Sequence, residues 1–154
     1  MSSFLKKYNI NYDHCIGAGS FSKIFLATDK KTGTKVAMKC IHVKETNTKL
    51  RKFVLSEIHI LKNIHHINVV KFIDSYIDKN TIFIALEYCP HGNLHSHLQK
   101  HTMTQHMAHN YFNQLIDALK YLREKGVMHR DLKPANILIA ENNILKLCDF
   151  GFAK

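Results

Sequence analysis

His129-Arg130-Asp131-Leu132-Lys133-Pro134-Ala135-Asn136, followed thirteen residues after Asn136 by Asp149-Phe150-Gly151, is the stretch whose reading decides the fold. Between the two runs, Ile137-Leu138-Ile139-Ala140 and Ile144-Leu145-Lys146-Leu147 flank Glu141-Asn142-Asn143. Two short apolar runs on either side of a turn-forming triplet predict a β-hairpin. A hairpin centred there returns Asp149 beside Asn136, so an amide oxygen and a carboxylate oxygen meet at one end. Hard oxygens of this kind, together with phosphate groups, suit Mg2+. Asp131, five residues before Asn136, is placed to accept a proton from an incoming hydroxyl. Lys133 is placed to offset charge on a transferred phosphoryl group, although either residue taken singly also reads as a surface loop charge.

Upstream, the sequence predicts strands interrupted by one helix. Residues 12–17 and 23–28 read as strands joined by the turn Gly17-Ala18-Gly19-Ser20-Phe21-Ser22, and Lys30-Lys31-Thr32-Gly33 leads into a third strand over 35–43. The glycine turn runs into a strand, not a helix, so it is not a dinucleotide-binding turn. It reads as a flap that brings backbone N–H groups to phosphates. On the third strand Ala37, Lys39 and Ile41 share one face. Residues 49–63 are helical, with Leu50, Phe53, Val54, Ile58 and Leu61 on one stripe and Glu57 within it. Two inward charges satisfy one another as a Lys39–Glu57 pair, or else Lys39 snorkels and Glu57 reaches water; spacing alone leaves both open.

Residues 69–77 and 81–86 read as strands around Asp78-Lys79-Asn80, and residues 87–93 break the pattern. A short helix over 94–100 and a long one over 104–125 follow, with Thr104 as N-cap and Gly126 as stop. Met107, Tyr111, Phe112, Leu115, Ile116, Leu119 and Leu122 make a broad apolar stripe on the long helix, expected to face a core.

The 154 residues are 45% hydrophobic, enough for a sizeable core, and no apolar run approaches the length of a membrane span. The opening Met1-Ser2-Ser3-Phe4-Leu5-Lys6-Lys7 lacks a secretory apolar core, so the expectation is a soluble intracellular, cytoplasmic protein without membrane association. Cys15, Cys40, Cys89 and Cys148 are too scattered for a zinc knuckle or a disulfide framework. His95, His97, His101, His106 and His109 do not form a recognised zinc set. The +10 formal charge is spread along the chain, which reads as a solvated basic surface and argues against nucleic-acid binding.

The ordered set of glycine turn, Lys39, Glu57, His129 to Asn136 and Asp149 to Gly151 resembles the protein kinase family over residues 12–154. The resemblance implies an α+β, protein-kinase-like fold. Residues 1–88 would form an antiparallel small lobe with one helix, and residues 89–154 a hinge and an incomplete, mainly α large lobe. It implies ATP and Mg2+ as cofactors and transfer of the γ-phosphoryl group to protein Ser/Thr hydroxyls, Lys133 matching the serine/threonine form. Asp131 is then the base, Lys39 and Lys133 meet phosphates, Glu57 holds Lys39, and Asn136 and Asp149 bind metal. ATP contacts fall to Ile16, Gly17, Ala18, Gly19, Ser20, Phe21, Ser22, Lys23, Ile24, Ala37, Lys39, Leu86, Glu87, Cys89 and Leu138. Leu86 would be the gatekeeper, and Glu87 to Cys89 the hinge that binds adenine. Ser22 stands where the family has a third glycine. Leu86-Glu87-Tyr88-Cys89 and Asp149-Phe150-Gly151-Phe152-Ala153 look most like the Unc-51-like group.

The sequence ends at Lys154, before an activation segment, and reads as truncated. That reading implies weak transfer by the chain alone and an uncovered large-lobe face open to self-association or a partner protein. The alternative function is a non-catalytic nucleotide- or partner-binding module.

Overall fold

The computed structural model describes residues 3–19, 21–44 and 46–154. The chain divides into two compact units: the residues through Ile58 with Phe72–Tyr88, and His59–Lys71 with Cys89–Lys154. A single cut after residue 88 therefore leaves out the segment His59–Lys71, which belongs with the second unit.

The first unit is built on an antiparallel sheet of β1 (Tyr8–Ala18), β2 (Ser22–Asp29), β3 (Lys35–His42), β4 (Phe72–Ile77) and β5 (Thr81–Glu87), in the order β1-β2-β3-β5-β4. The β2–β3 turn is closed by Asp29, whose side chain accepts from Lys31 N–H at 2.9 Å and Thr32 N–H at 3.2 Å, while Gly33 supplies φ 71°. Val36, Met38, Phe83 and Ala85 line one sheet face, where Phe4 and Tyr8 cover them. Phe4 comes from α1 (Ser3–Lys7), a short helix that the apolar spacing does not announce. Its ring stacks on Tyr76 at 5.6 Å, and Lys7 holds Asp74 at 3.2 Å. Ala37, Lys39 and Ile41 occupy the opposite face, as period two requires.

Two expectations need correction here. β1 begins at Tyr8, four residues early, because Tyr8 and Ile10 pair with Asp29 and Ala27 before the register shifts near Cys15. β4 begins only at Phe72: Val69 and Val70 turn instead to Leu147, which accepts from Val70 N–H at 2.9 Å, and both valines are buried.

The helix α2 (Thr48–Asn63) buries Val54, Glu57, Ile58 and Leu61, whereas Phe53 is 54% exposed. At 100° per residue Phe53 lies about 80° from Leu61, at the edge of the stripe.

In the second unit α3 (Leu94–Lys100) is capped by Asn93, and α4 (Gln105–Glu124) by Thr104, whose hydroxyl accepts from Met107 N–H at 3.2 Å. Gly126 follows at φ 70° and ends the helix. Tyr111, Ala118 and Leu122 are buried along α4, but Phe112 is 61% exposed, so the stripe is not wholly a core face. The hairpin of β6 (Ile137–Ile139) and β7 (Leu145–Leu147) forms around Glu141–Asn143, with Asn142 and Asn143 both at φ 57°. Asparagine tolerates that left-handed backbone better than most residues.

Replacing Phe4 with alanine removes a ring buried against Tyr8, Tyr76 and Phe83. A loss of about 3 kcal/mol in urea unfolding is expected; an unchanged midpoint would show that α1 adds nothing to the sheet.

Candidate active site

In the first unit, Gly17 and Ala18 end β1, and Gly19 N–H closes the turn onto the Ser22 carbonyl at 2.8 Å. A Cβ at Gly17 would make an ordinary contact with the Ile24 side chain at 3.4 Å, whereas one at Gly19 would sit a tight 3.1 Å from Ser22 Oγ. Ser20 lies outside the described residues. Ile16 is 37% exposed just before the turn. The strand register brings Ile24 opposite Lys39 and Ala37 opposite Leu86, on the Lys39 face. Lys23 lies opposite Cys40, and therefore on the other face. Phe21, hydrogen-bonded through its carbonyl to His42 N–H, joins Lys23 beside Cys40 and His42.

Lys39 Nζ lies 2.7 Å from Glu57 Oε1, with the side chains 13% and 4% exposed. The register of β3 and the stripe of α2 decide between the two readings that spacing alone leaves open. A carboxylate this buried needs a cation or donors to remain charged. Glu87 ends β5 opposite Val36, Cys89 is buried, and Leu138 is half-buried on β6.

The second unit gathers Asp131, Lys133, Asn136 and Asp149. Asp131 Oδ2 accepts from Lys133 Nζ and from Asn136 Nδ2, each at 2.8 Å, and the Asp131 carbonyl accepts from the same Asn136 amide at 2.9 Å. Asn136 thus spends its NH2 on Asp131, and its side-chain oxygen is oriented away from that partner. Cys148 N–H donates to the Asn136 carbonyl at 2.9 Å, so Asp149 emerges beside Asn136. Arg130 and Asp149 adopt φ 64° and 62°. Left-handed backbone costs more at Arg130, with its long side chain, than at Asp149, since aspartate tolerates that region as asparagine does.

His129, 3% exposed, is the organiser that motif reading undervalues. Its Nδ1 accepts from Asp131 N–H at 3.3 Å, which makes Nε2 the donor to the Cys148 carbonyl at 2.9 Å. Its ring meets Phe150 edge-on at 4.9 Å. One side chain thereby links the Asp131 loop to the Asp149 turn. Asn68 and Gln114 do the same for β7: Asn68 Nδ2 donates to Gln114 Oε1 at 2.8 Å and to the Leu145 carbonyl at 3.0 Å, and Gln114 Oε1 accepts from Leu145 N–H at 2.8 Å. No local signal marks either residue, because their partners lie far away in sequence. Arg130 Nε donates to the Phe152 carbonyl at 2.6 Å, and Met128 and Lys154 exchange backbone hydrogen bonds of 2.9 and 3.0 Å.

The Lys133 ammonium, reinforced by Asn136, holds the Asp131 carboxyl below the usual carboxylate range, and Asp131 in turn raises Lys133. A depressed acid pKa stabilises the fold above the ordinary carboxylate range, and that stabilisation is lost as pH falls through the depressed value.

The protein kinase domain family matches residues 10–154. This chain belongs to that family. Among its relatives, an Aurora kinase of Schizosaccharomyces pombe is 38% identical over 140 residues, covering 90% of this chain and 39% of that protein. Serine/threonine-protein kinase ATG1c of Arabidopsis thaliana is 39% identical over 143 residues, 90% of this chain and 20% of the relative. CBL-interacting serine/threonine-protein kinase 19 of the same plant is 36% identical over 150 residues, 97% of this chain and 31% of the relative. The kinase-domain chain thus spans about two-fifths or less of these proteins. Identities of 38% and 39% favour neither the Aurora nor the ATG1 group.

Two measurements probe this kinase-domain geometry. Lys39→Met leaves Glu57 buried without its ammonium, and a loss of about 3 to 5 kcal/mol is expected in chemical denaturation, largely recovered in Lys39→Met/Glu57→Leu. In NMR titration the Asp131 carboxyl should protonate below an ordinary aspartate and move up towards it in Lys133→Met; no movement would remove Lys133 as the principal cause.

Proposed function

We propose that the chain carries the ATP- and Mg2+-dependent chemistry of a serine/threonine protein kinase, moving a γ-phosphoryl group to protein Ser/Thr hydroxyls. The observation that carries this reading is the clustering of Asp131, Lys133 and Asn136 by direct hydrogen bonds, with Asp149 returned beside them by the hairpin. Family membership supports it independently.

The donor set fits magnesium: the Asn136 amide oxygen and the Asp149 carboxylate are hard oxygens on adjacent strand ends, and phosphates complete such a shell. Bound magnesium would neutralise charge on the nucleotide phosphates. Asp131 directs the incoming hydroxyl and takes its proton. Its depressed pKa makes it a weak base, which suffices when the transition state is loose and the proton leaves late. Since Oδ2 already accepts from Lys133 and Asn136, Oδ1 is the atom for the hydroxyl. Lys133 offsets phosphoryl charge, and Lys39, steadied by Glu57, orients the α- and β-phosphates. Within the first unit the glycine turn offers backbone N–H groups to phosphates, with Ile24, Ala37 and Leu86 against the base and Glu87 for its polar edge. A cytoplasmic setting, where thiols stay reduced, belongs to the same reading. Among the described residues no helix is long and apolar enough to cross a membrane.

A second reading, partner binding without turnover, has one observation in its favour. A hollow of about 450 Å3 in the second unit is lined by Leu119, Leu122, Val127, Met128 and Leu132, with Met128 62% and Leu132 53% exposed. Exposed apolar clusters of this kind favour association with a second copy or a partner protein. Concentration-dependent sedimentation together with nucleotide binding but no transfer would select it.

The test of the first reading is Mg2+-dependent ATP binding and transfer of labelled phosphate to a basic protein. Asp149→Asn should weaken Mg·ATP at least about tenfold, whereas Asp131→Asn should spare binding and lower transfer by about 100-fold or more. Nucleotide binding indifferent to both Mg2+ and Asp149 would sink the proposal.

A further inference from the structure

On the sheet face opposite Lys39, beyond the part covered by Phe4 and Tyr8, the first unit has a hollow of about 420 Å3. Its floor is Phe25, 9% exposed, and the half-buried Cys40; Phe21, 61% exposed, forms a wall. Lys23, His42 and Thr81 line the rim, and no Asp or Glu is among the lining residues. We propose that this hollow is a binding site for a flat aromatic carboxylate.

The aromatic part follows from the walls. Phe25 already takes an edge-on contact from Tyr12 at 5.2 Å, and among the described residues the Phe21 ring meets no other ring. A planar ligand beside Phe21 and over Phe25 gains the offset and edge contacts that aromatic pairs prefer. Burial pushes the Cys40 thiol up to about 11, so at neutral pH it is an uncharged, soft floor and not a nucleophile. The carboxylate follows from the rim. Lys23 and His42 are exposed cations or potential cations, and among the described residues neither has an ion-pair partner. The +10 formal charge of the chain adds attraction for an anion. The volume falls in the range of small-ligand sites and suits a bicyclic acid.

Lys39 and Ala37 face the other side of the sheet, so this hollow opens away from them, although it shares Gly19, Phe21, Ser22 and Lys23 with the residues expected to contact ATP. Gly19 and Phe21 belong to the glycine turn and also line the hollow, so an occupant braces that turn from behind.

The experiment is titration of the 15N-labelled full chain with naphthalene-2-carboxylate, followed by amide shifts. Saturable shifts are expected at Gly19, Phe21, Lys23, Cys40 and Thr81. Lys23→Glu, an exposed change whose folding the same spectrum verifies, should weaken binding about fivefold, as should replacing the acid by 2-naphthylmethanol. Shifts centred on Met128 and Leu132, absence of saturable shifts, or equal affinity for acid and alcohol would each overturn the proposal.

Discussion

The hydrogen bond from Cys148 N–H to the Asn136 carbonyl, at 2.9 Å, is the constraint on which the rest of the candidate site depends. It closes the open end of the β6–β7 hairpin and so determines where Asp149 leaves the strand. Without it Asn136 and Asp149 would be separated by a flexible run of chain, and two oxygens on a flexible run make a poor magnesium site. The bond is reinforced from both sides. His129 joins Asp131 N–H to the Cys148 carbonyl, and Asn68 holds β7 from behind. Leu145 and Leu147, fully buried, keep the strand from sliding. Slipping the register by one residue would turn both leucines outward.

Charge is handled differently in the two units. Lys39 and Glu57 are taken out of water together, so each depends on the other, and the pair is costly to break although not necessarily more stabilising than an apolar pair. Lys133 and Asp131 stay in contact with solvent, so their attraction tunes the carboxyl and contributes little to stability. The first arrangement suits positioning of an ammonium. The second leaves the Asp131 carboxylate open to water.

The sheet of the first unit uses both faces. One carries Lys39, Ala37 and Ile24, and the other carries the Phe4 and Tyr8 core followed by the open hollow at Phe21 and Phe25. Period two makes this unavoidable: any strand that directs Lys39 one way directs Met38 and Cys40 the other. The short helix α1 covers only part of that second face.

Local rules were enough for much of this kinase-domain chain. The hairpin around Glu141–Asn143, the Thr104 cap, the Gly126 stop and the α+β alternation follow from turn chemistry and apolar period, which act within a few residues. The motifs that mark the family were legible for the same reason. Decisions over distance were not. Spacing left the Lys39–Glu57 pair open because burial of Glu57 depends on a strand 18 residues away. Phe53 and Phe112 fit their stripes by period, yet stay exposed, since a helix face is buried only where another element covers it. Val69 and Val70 have strand composition but are taken by Leu147, 78 residues on from Val69. Sequence alone determined the motifs that mark the family and the local elements that hold them. Tertiary structure decided which of them meet, because desolvation and hydrogen-bond partners are set by neighbours that the chain brings from far away.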